Sequence, residues 1–123
     1  MLLLDTSFLI EWELELTARR AGPARRLLQA RAPEEVAVSI VSVGEFAEGF
    51  EDPRQVEAFL RAYRVIQLSR AIAYRTAHLQ AGLEQRLGEN DAWIAATALA
   101  YGAELAGRDR AFLRVPRLRY TAI

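Results

Sequence analysis

Residues 2–4 are three leucines in succession, preceded by Met1 and stopped by Asp5. A strand with no polar position can leave neither face in water, so it must lie in a sheet covered on both sides, and such sheets are mostly parallel. The β-branched run Val36 to Val41 predicts a second strand, and shorter ones are expected at Val65 to Leu68, Glu104 to Ala106 and Arg117 to Tyr120. Between them the pattern turns helical. The first helix is expected from Thr6 to about Leu16, started by Asp5, Thr6 or Ser7, although Trp12 to Leu16 alternates as a strand would. Gly22-Pro23 opens a helix through Arg31. Ser42 to Phe50 reads as helical, with Ser42 and Glu45 at capping-box spacing. Asp52-Pro53 starts a helix to about Tyr63, with Val56, Phe59, Leu60 and Tyr63 on one face. Ser69 can cap a helix from Arg70 to Leu87 ended by Gly88, and Asn90-Asp91 one from Ala92 to Tyr101 ended by Gly102. Strands alternating with helices predict one layered α/β domain over residues 1–123, with no repeat or linker.

Absences narrow the chemistry. The chain has no cysteine, which excludes disulfides and thiolate metal sites and makes a reducing cytoplasm the expected setting. The apolar runs fall short of the ~20 residues a membrane span needs, and Met1 to Asp5 does not read as a secretory leader. His78 is the single histidine, so two-histidine acid/base cleavage is impossible and zinc is disfavoured. All sixteen basic residues are arginine, which removes the lysine needed by P-loop ATPases and Schiff-base enzymes. Carboxylate remains as the chemical asset: twelve glutamates and only four aspartates, Asp5, Asp52, Asp91 and Asp109.

Three of those aspartates fall in comparable places. Asp5 follows the first strand, Asp109 follows the strand at 104 to 106, and Asp91 opens a helix. In an open parallel sheet the carboxyl ends of strands and the amino ends of the following helices share the edge where ligands bind. Glu45, one turn into the helix after the second strand, is delivered to that edge too. Four converging carboxylates repel one another unless protons or a divalent cation lie between them, and oxygen ligands suit Mg²⁺ or Mn²⁺. Each acid also has a structural explanation. Asp5 and Asp91 could be helix caps, Glu45 could complete a capping box with Ser42, and Asp109 could pair with Arg108 or Arg110. Asp52, with Pro53 behind it, is expected to be a cap only.

Leu3-Leu4-Asp5-Thr6-Ser7, Ser42-Val43-Gly44-Glu45-Phe46 with Gly49, Asn90-Asp91-Ala92-Trp93-Ile94-Ala95-Ala96-Thr97-Ala98, and Asp109 with Phe112 resemble, in order and spacing, the successive motifs of PIN domains. The similarity runs from residue 1 to about 119 and is nearest to the small VapC-type toxins of prokaryotic toxin-antitoxin pairs. It implies a three-layer α/β/α PIN-like domain with a mostly parallel central sheet, and a Mg²⁺-dependent endoribonuclease that also accepts Mn²⁺. By position, Asp5, Glu45, Asp91 and Asp109 match the family's acidic quartet, here the expected catalytic residues and metal ligands, with Asp5 and Asp91 the first choices for direct contact. Thr6 and Ser7 match the hydroxyl positions after the first acid, and Asn90 the polar neighbour of the third. Two positions depart: Gly107 stands where members often carry Thr or Ser, and Ala111 where they often carry another acid.

The resemblance also implies an RNA substrate, a two-fold homodimer and a cognate antitoxin. Leu9, Trp12, Leu14 and Leu16 could form a partner surface or simply pack in the core, while Trp12 and Trp93 read as core or interface anchors and His78 as an ordinary helix residue. The formal net charge is zero, but without the four proposed site acids sixteen arginines face twelve carboxylates, or +4, which can still attract phosphate. Arg108, Arg110, Arg114, Arg117 and Arg119 crowd the last motif. A receiver domain is rejected for want of lysine, and a haloacid-dehalogenase-like phosphatase because Ser7 stands where its second aspartate belongs. The alternative retained is a non-catalytic PIN-like module that binds RNA or scaffolds a protein.

Overall fold

A computed structural model describes all residues, 1–123, and places β1 (Leu2–Leu4) at the centre of a five-stranded sheet. β1 pairs in parallel with β2 (Val36–Ser39) on one side and β4 (Glu104–Gly107) on the other. β3 (Arg64–Ile66) joins outside β2 and β5 (Tyr120–Ala122) outside β4, both parallel, so the order is β3-β2-β1-β4-β5. The sheet is therefore parallel throughout. Six helices complete the fold: α1 (Thr6–Ala18), α2 (Pro23–Ala30), α3 (Ile40–Ala47), α4 (Pro53–Leu60), α5 (Arg70–Gly82) and α6 (Glu89–Ala100), with a 3-10 turn at Arg110–Arg114.

The period-2 geometry of β1 sorts the leucines. Leu2 and Leu4 face a cluster with Phe8, Leu9, Ala24, Phe46, Val56 and Leu60, which comes from α1 to α4. Leu3 faces the opposite cluster with Ile72, Leu79, Ile94 and Phe112, from α5, α6 and the 3-10 turn. All three are fully buried, as a wholly apolar strand requires. The three-layer α/β/α expectation is met. No helix is long and apolar enough to cross a membrane.

Several boundaries move. The second strand stops at Ser39 rather than Val41, because the Ser39 hydroxyl accepts the Val41 amide (3.1 Å) and starts α3. Ser42 is then inside the helix and caps nothing. α4 ends at Leu60, short of Tyr63. α5 ends at Gly82, not Leu87, since the Gln80 amide group bonds both the N–H and the C=O of Leu87 (2.9 Å each) and holds the chain in a non-helical loop. α6 begins at Glu89 with Gly88 as its cap position, which puts Asn90 and Asp91 in the first turn instead of before it. The last strand starts at Tyr120, because Arg117 takes a left-handed turn (φ 67°) where the sequence suggested a strand.

Candidate active site

Asp5 leaves the carboxyl end of the central strand and is the N-cap of α1. Its Oδ1 accepts the Phe8 amide (2.8 Å) and the Ser7 hydroxyl (2.6 Å). Ser7 Oγ in turn accepts the Arg108 amide (2.8 Å), which ties the start of α1 to the segment after β4. The carboxylate also lies against Gly107, where any Cβ would collide with it. Only 2% of Asp5 is exposed, and burial pushes its carboxyl up from 3.8 to about 6; the Asp109 charge adds to this, while the bonds from Ser7 and Phe8 oppose it.

Glu45 projects from α3 and joins two other motifs. Its Oε1 accepts the Thr6 hydroxyl (2.6 Å) and its Oε2 the Asn90 side-chain amide (3.2 Å). The carboxylate is thus engaged across the sheet edge, and the capping-box reading with Ser42 is corrected. Asp91 is half-buried in the first turn of α6. Its carboxyl is pushed up to about 6, first by burial, then by the charge of Asp109, by a hydrogen bond of its protonated form to Asp109, and by the charges of Glu45 and Asp5. Asp109 is exposed, caps the 3-10 turn by accepting the Ala111 amide (2.8 Å), and forms no ion pair. Arg108 pairs with Glu11 instead (2.8 Å). Asp52 caps α4 and pairs with Arg54 (3.0 Å).

Four acids from distant stretches thus meet at one edge closely enough to feel one another's charge. Glu45, Asn90 and Asp91, with Gly88 and Glu89, line an open depression of about 400 Å³ there. No three of the carboxylates stand close enough to form a ready coordination shell. Even so, the donor set is all oxygen, and its crowded charge needs compensation. These properties fit Mg²⁺ or Mn²⁺, which take few direct carboxylates and keep several waters.

Tyr120 belongs to the same neighbourhood and escaped the sequence reading. Its hydroxyl is buried with no hydrogen-bond partner. Burial and the charges of Asp5, Asp109 and Asp91 push its phenol well above the usual range. Only the register Leu105↔Tyr120 between β4 and β5 could have pointed to it.

Other predicted residues separate by role. Leu9 is fully buried and the Trp12 indole donates to the Tyr63 hydroxyl (2.9 Å), while Leu14 and Leu16, with Ile10, remain about half exposed. The apolar residues of α1 are therefore divided between core and surface. Arg114 donates to the Arg86 carbonyl (3.4 Å) and Arg119 to that of Gly102 (2.6 Å). Trp93 packs against the core and His78 is exposed, as expected.

A family model described as PIN domain matches residues 2–118. Among solved structures, a toxin-antitoxin complex from Klebsiella pneumoniae is 28% identical over 94% of this chain and 93% of that one, with a TM-score of 0.74. DNA-bound VapBC from Salmonella typhimurium has a TM-score of 0.80 at 20% identity, over 98% and 96% of the two chains. VapC20 from Mycobacterium tuberculosis, a toxin that cleaves the sarcin-ricin loop, has a TM-score of 0.68 at 21% identity over 97% and 99%. No curated protein matches significantly.

Proposed function

The chain belongs to the PIN-domain family, and from that premise we propose that it is a divalent-cation-dependent endoribonuclease serving as the toxin of a toxin-antitoxin pair. One observation carries the nuclease reading: Glu45 accepts from Thr6, the neighbour of Asp5, and from Asn90, the neighbour of Asp91, so acids far apart in sequence share one edge of the sheet. Asp5 and Asp91 would hold the cation, with Glu45 and Asp109 completing its surroundings. A bound Mg²⁺ supplies Lewis acidity, polarising a phosphate oxygen and making water a better nucleophile.

The protein's own groups do the rest. The Phe8 amide and Ser7 hydroxyl fix one oxygen of Asp5, and Thr6 and Asn90 fix both oxygens of Glu45, so neither carboxylate must reorganise when substrate arrives. Glu45 or Asp109 orients the attacking water and takes its proton. As the water oxygen bonds to phosphorus the P–O3′ bond breaks and the leaving O3′ takes a proton from solvent water, giving 5′-phosphate and 3′-hydroxyl ends.

The toxin reading draws on the neighbours: a Klebsiella toxin-antitoxin complex and a Mycobacterium toxin that cleaves the sarcin-ricin loop. It brings a cognate antitoxin and a homodimer with it, and the exposed Ile10, Leu14 and Leu16 of α1 offer an apolar surface for such a partner.

RNA cleavage by the purified protein, with Mg²⁺ or with EDTA, tests the proposal. Asp5→Asn and Asp91→Asn should each lower Mg²⁺-dependent cleavage at least about 100-fold while far-UV circular dichroism is unchanged. Full activity in either variant overturns the assignment. RNA binding without cleavage by the wild type, across rRNA and tRNA substrates, leaves a binding module in its place.

A further inference from the structure

Away from the acids, a cavity of about 270 Å³ opens between α5, the last turn of α6 and the turn at Pro116-Arg117. Arg75 and His78, one turn apart on α5, line it together with Arg117; Leu79, Leu83 and Leu99 give the cavity an apolar lining, and no acid contributes to it. Neither arginine belongs to any of the ion pairs, which use Arg20, Arg31, Arg54, Arg64 and Arg108. Nor do they bond to the backbone as Arg114 and Arg119 do. The donors are free. Arg117 is also one of only two non-glycine residues with positive φ (67°), a strained conformation for a side chain and one that clusters at ligand clamps.

We propose that this cavity is a nucleotide-binding subsite, in which the guanidinium groups of Arg75 and Arg117 grip a phosphate and the leucines receive the base or sugar. The chemistry follows from the walls. Planar guanidinium groups match phosphate oxygens in bidentate fashion, and cationic groups brought together without a carboxylate are stabilised by an anion. A volume near 270 Å³ suits one nucleotide unit rather than a larger ligand. Leu99 lies eight residues after Asp91 on α6, about 12 Å along the helix axis, so a phosphate here is not the one undergoing cleavage. Two sources share that chemistry: a free nucleotide, or a nucleotide of an RNA strand that continues from the acidic edge. Only the RNA source rests on the nuclease reading.

Because His78 is the only histidine, its imidazole ring protons give isolated NMR signals from inside the cavity. The full chain is titrated at fixed pH in EDTA with AMP, with adenosine, and with a short 2′-O-methyl oligonucleotide. The expected result is a saturable shift with AMP that adenosine does not produce. The shift should be lost in Arg75→Gln and in Arg117→Gly, the second of which removes the guanidinium while relieving the left-handed backbone, and kept in Asp91→Asn. A shift with the oligonucleotide at lower concentration than AMP assigns the site to RNA; a shift with AMP alone assigns it to a free nucleotide. No saturable shift with either phosphate ligand, or equal shifts with adenosine and AMP, or a shift that survives Arg117→Gly, overturns the proposal. Loss of RNA cleavage in the wild type would sink the nuclease reading and leave the AMP result standing.

Discussion

At Gly107 the absence of a side chain has a definite use: the space a Cβ would fill is taken by the Asp5 carboxylate. The same position is one of the two departures from the family pattern, and the packing accounts for it without weakening Asp109. Asp5 is held by Ser7 and Phe8 and cannot swing away without breaking both bonds. Gly107→Ala must therefore either displace the acid or push β4 from β1, and overpacking of this kind costs about 1–3 kcal/mol. The expected outcome is a lower melting temperature together with at least a tenfold loss of Mg²⁺-dependent cleavage. Wild-type values for both would show that the carboxylate has room to rotate. Asp5 and Asp109 were legible as the acids that follow the apolar runs of β1 and β4, whereas Glu45 and Asp91, inside α3 and α6, were picked out by their places near helix starts and by the motifs around them. Gly107 and Tyr120 were not, because their importance depends on which residue of the next strand lies beside them, and register is absent from a linear pattern.

Among the elements, α2 shows how local signals can mislead about what stabilises a helix. Gly22 and Pro23 correctly announced its start, yet Gly22 offers no side-chain cap. The missing acceptor comes from α1. Glu15, 1% exposed, accepts the amides of Gly22 (2.9 Å), Ala24 (2.9 Å) and Arg25 (3.0 Å). Burial alone would push its carboxyl up, but the hydrogen bonds it accepts, these three amides among them, hold it below the ordinary range. A buried carboxylate at a helix amino end gains from both the free N–H groups and the macrodipole. Glu15→Ala strands two buried donors and a third that is partly buried, and the expected loss is about 3–5 kcal/mol, with faster amide hydrogen exchange confined at first to residues 22–30. Unchanged exchange there would mean that water replaces the carboxylate. The misplaced ends of α5 and β5 have the same origin. Gln80 binding Leu87 and the left-handed Arg117 are tertiary choices, whereas helix and strand propensities report only on neighbours in sequence.

For the whole molecule, the sheet order puts β1 between two chain directions, with β2 on one side and β4 on the other, and the crevice at such a switch point opens at the strands' carboxyl ends. Asp5 and Asp109 flank that crevice because they follow β1 and β4, so the fold itself gathers like charges. The consequence is a stability that depends on protons. Asp5 and Asp91 have carboxyls near 6 in the folded state against 3.8 ordinarily, so between those values the folded chain holds protons that the unfolded chain has lost. Protons therefore favour the folded state in this window, and the advantage disappears as pH rises through 6. Burial of Asp5 then costs about 3 kcal/mol at neutral pH, and Asp91, which is more open to solvent, adds less. Glu15, Glu104 and Asp52 act in the opposite sense. Their lowered carboxyls stabilise the fold above about 4.5, and that contribution is lost in acid. With EDTA present, the melting temperature should peak near about pH 5 and fall by several degrees toward pH 7.5. A cation held by the acids replaces those protons, so saturating Mg²⁺ or Mn²⁺ should raise the melting temperature at pH 7.5 and flatten the profile, with an affinity that weakens below pH 6. A melting temperature that rises from pH 5 to 7.5 without metal would mean that the carboxylates are not confined together, and the cation would then have no stored repulsion to relieve.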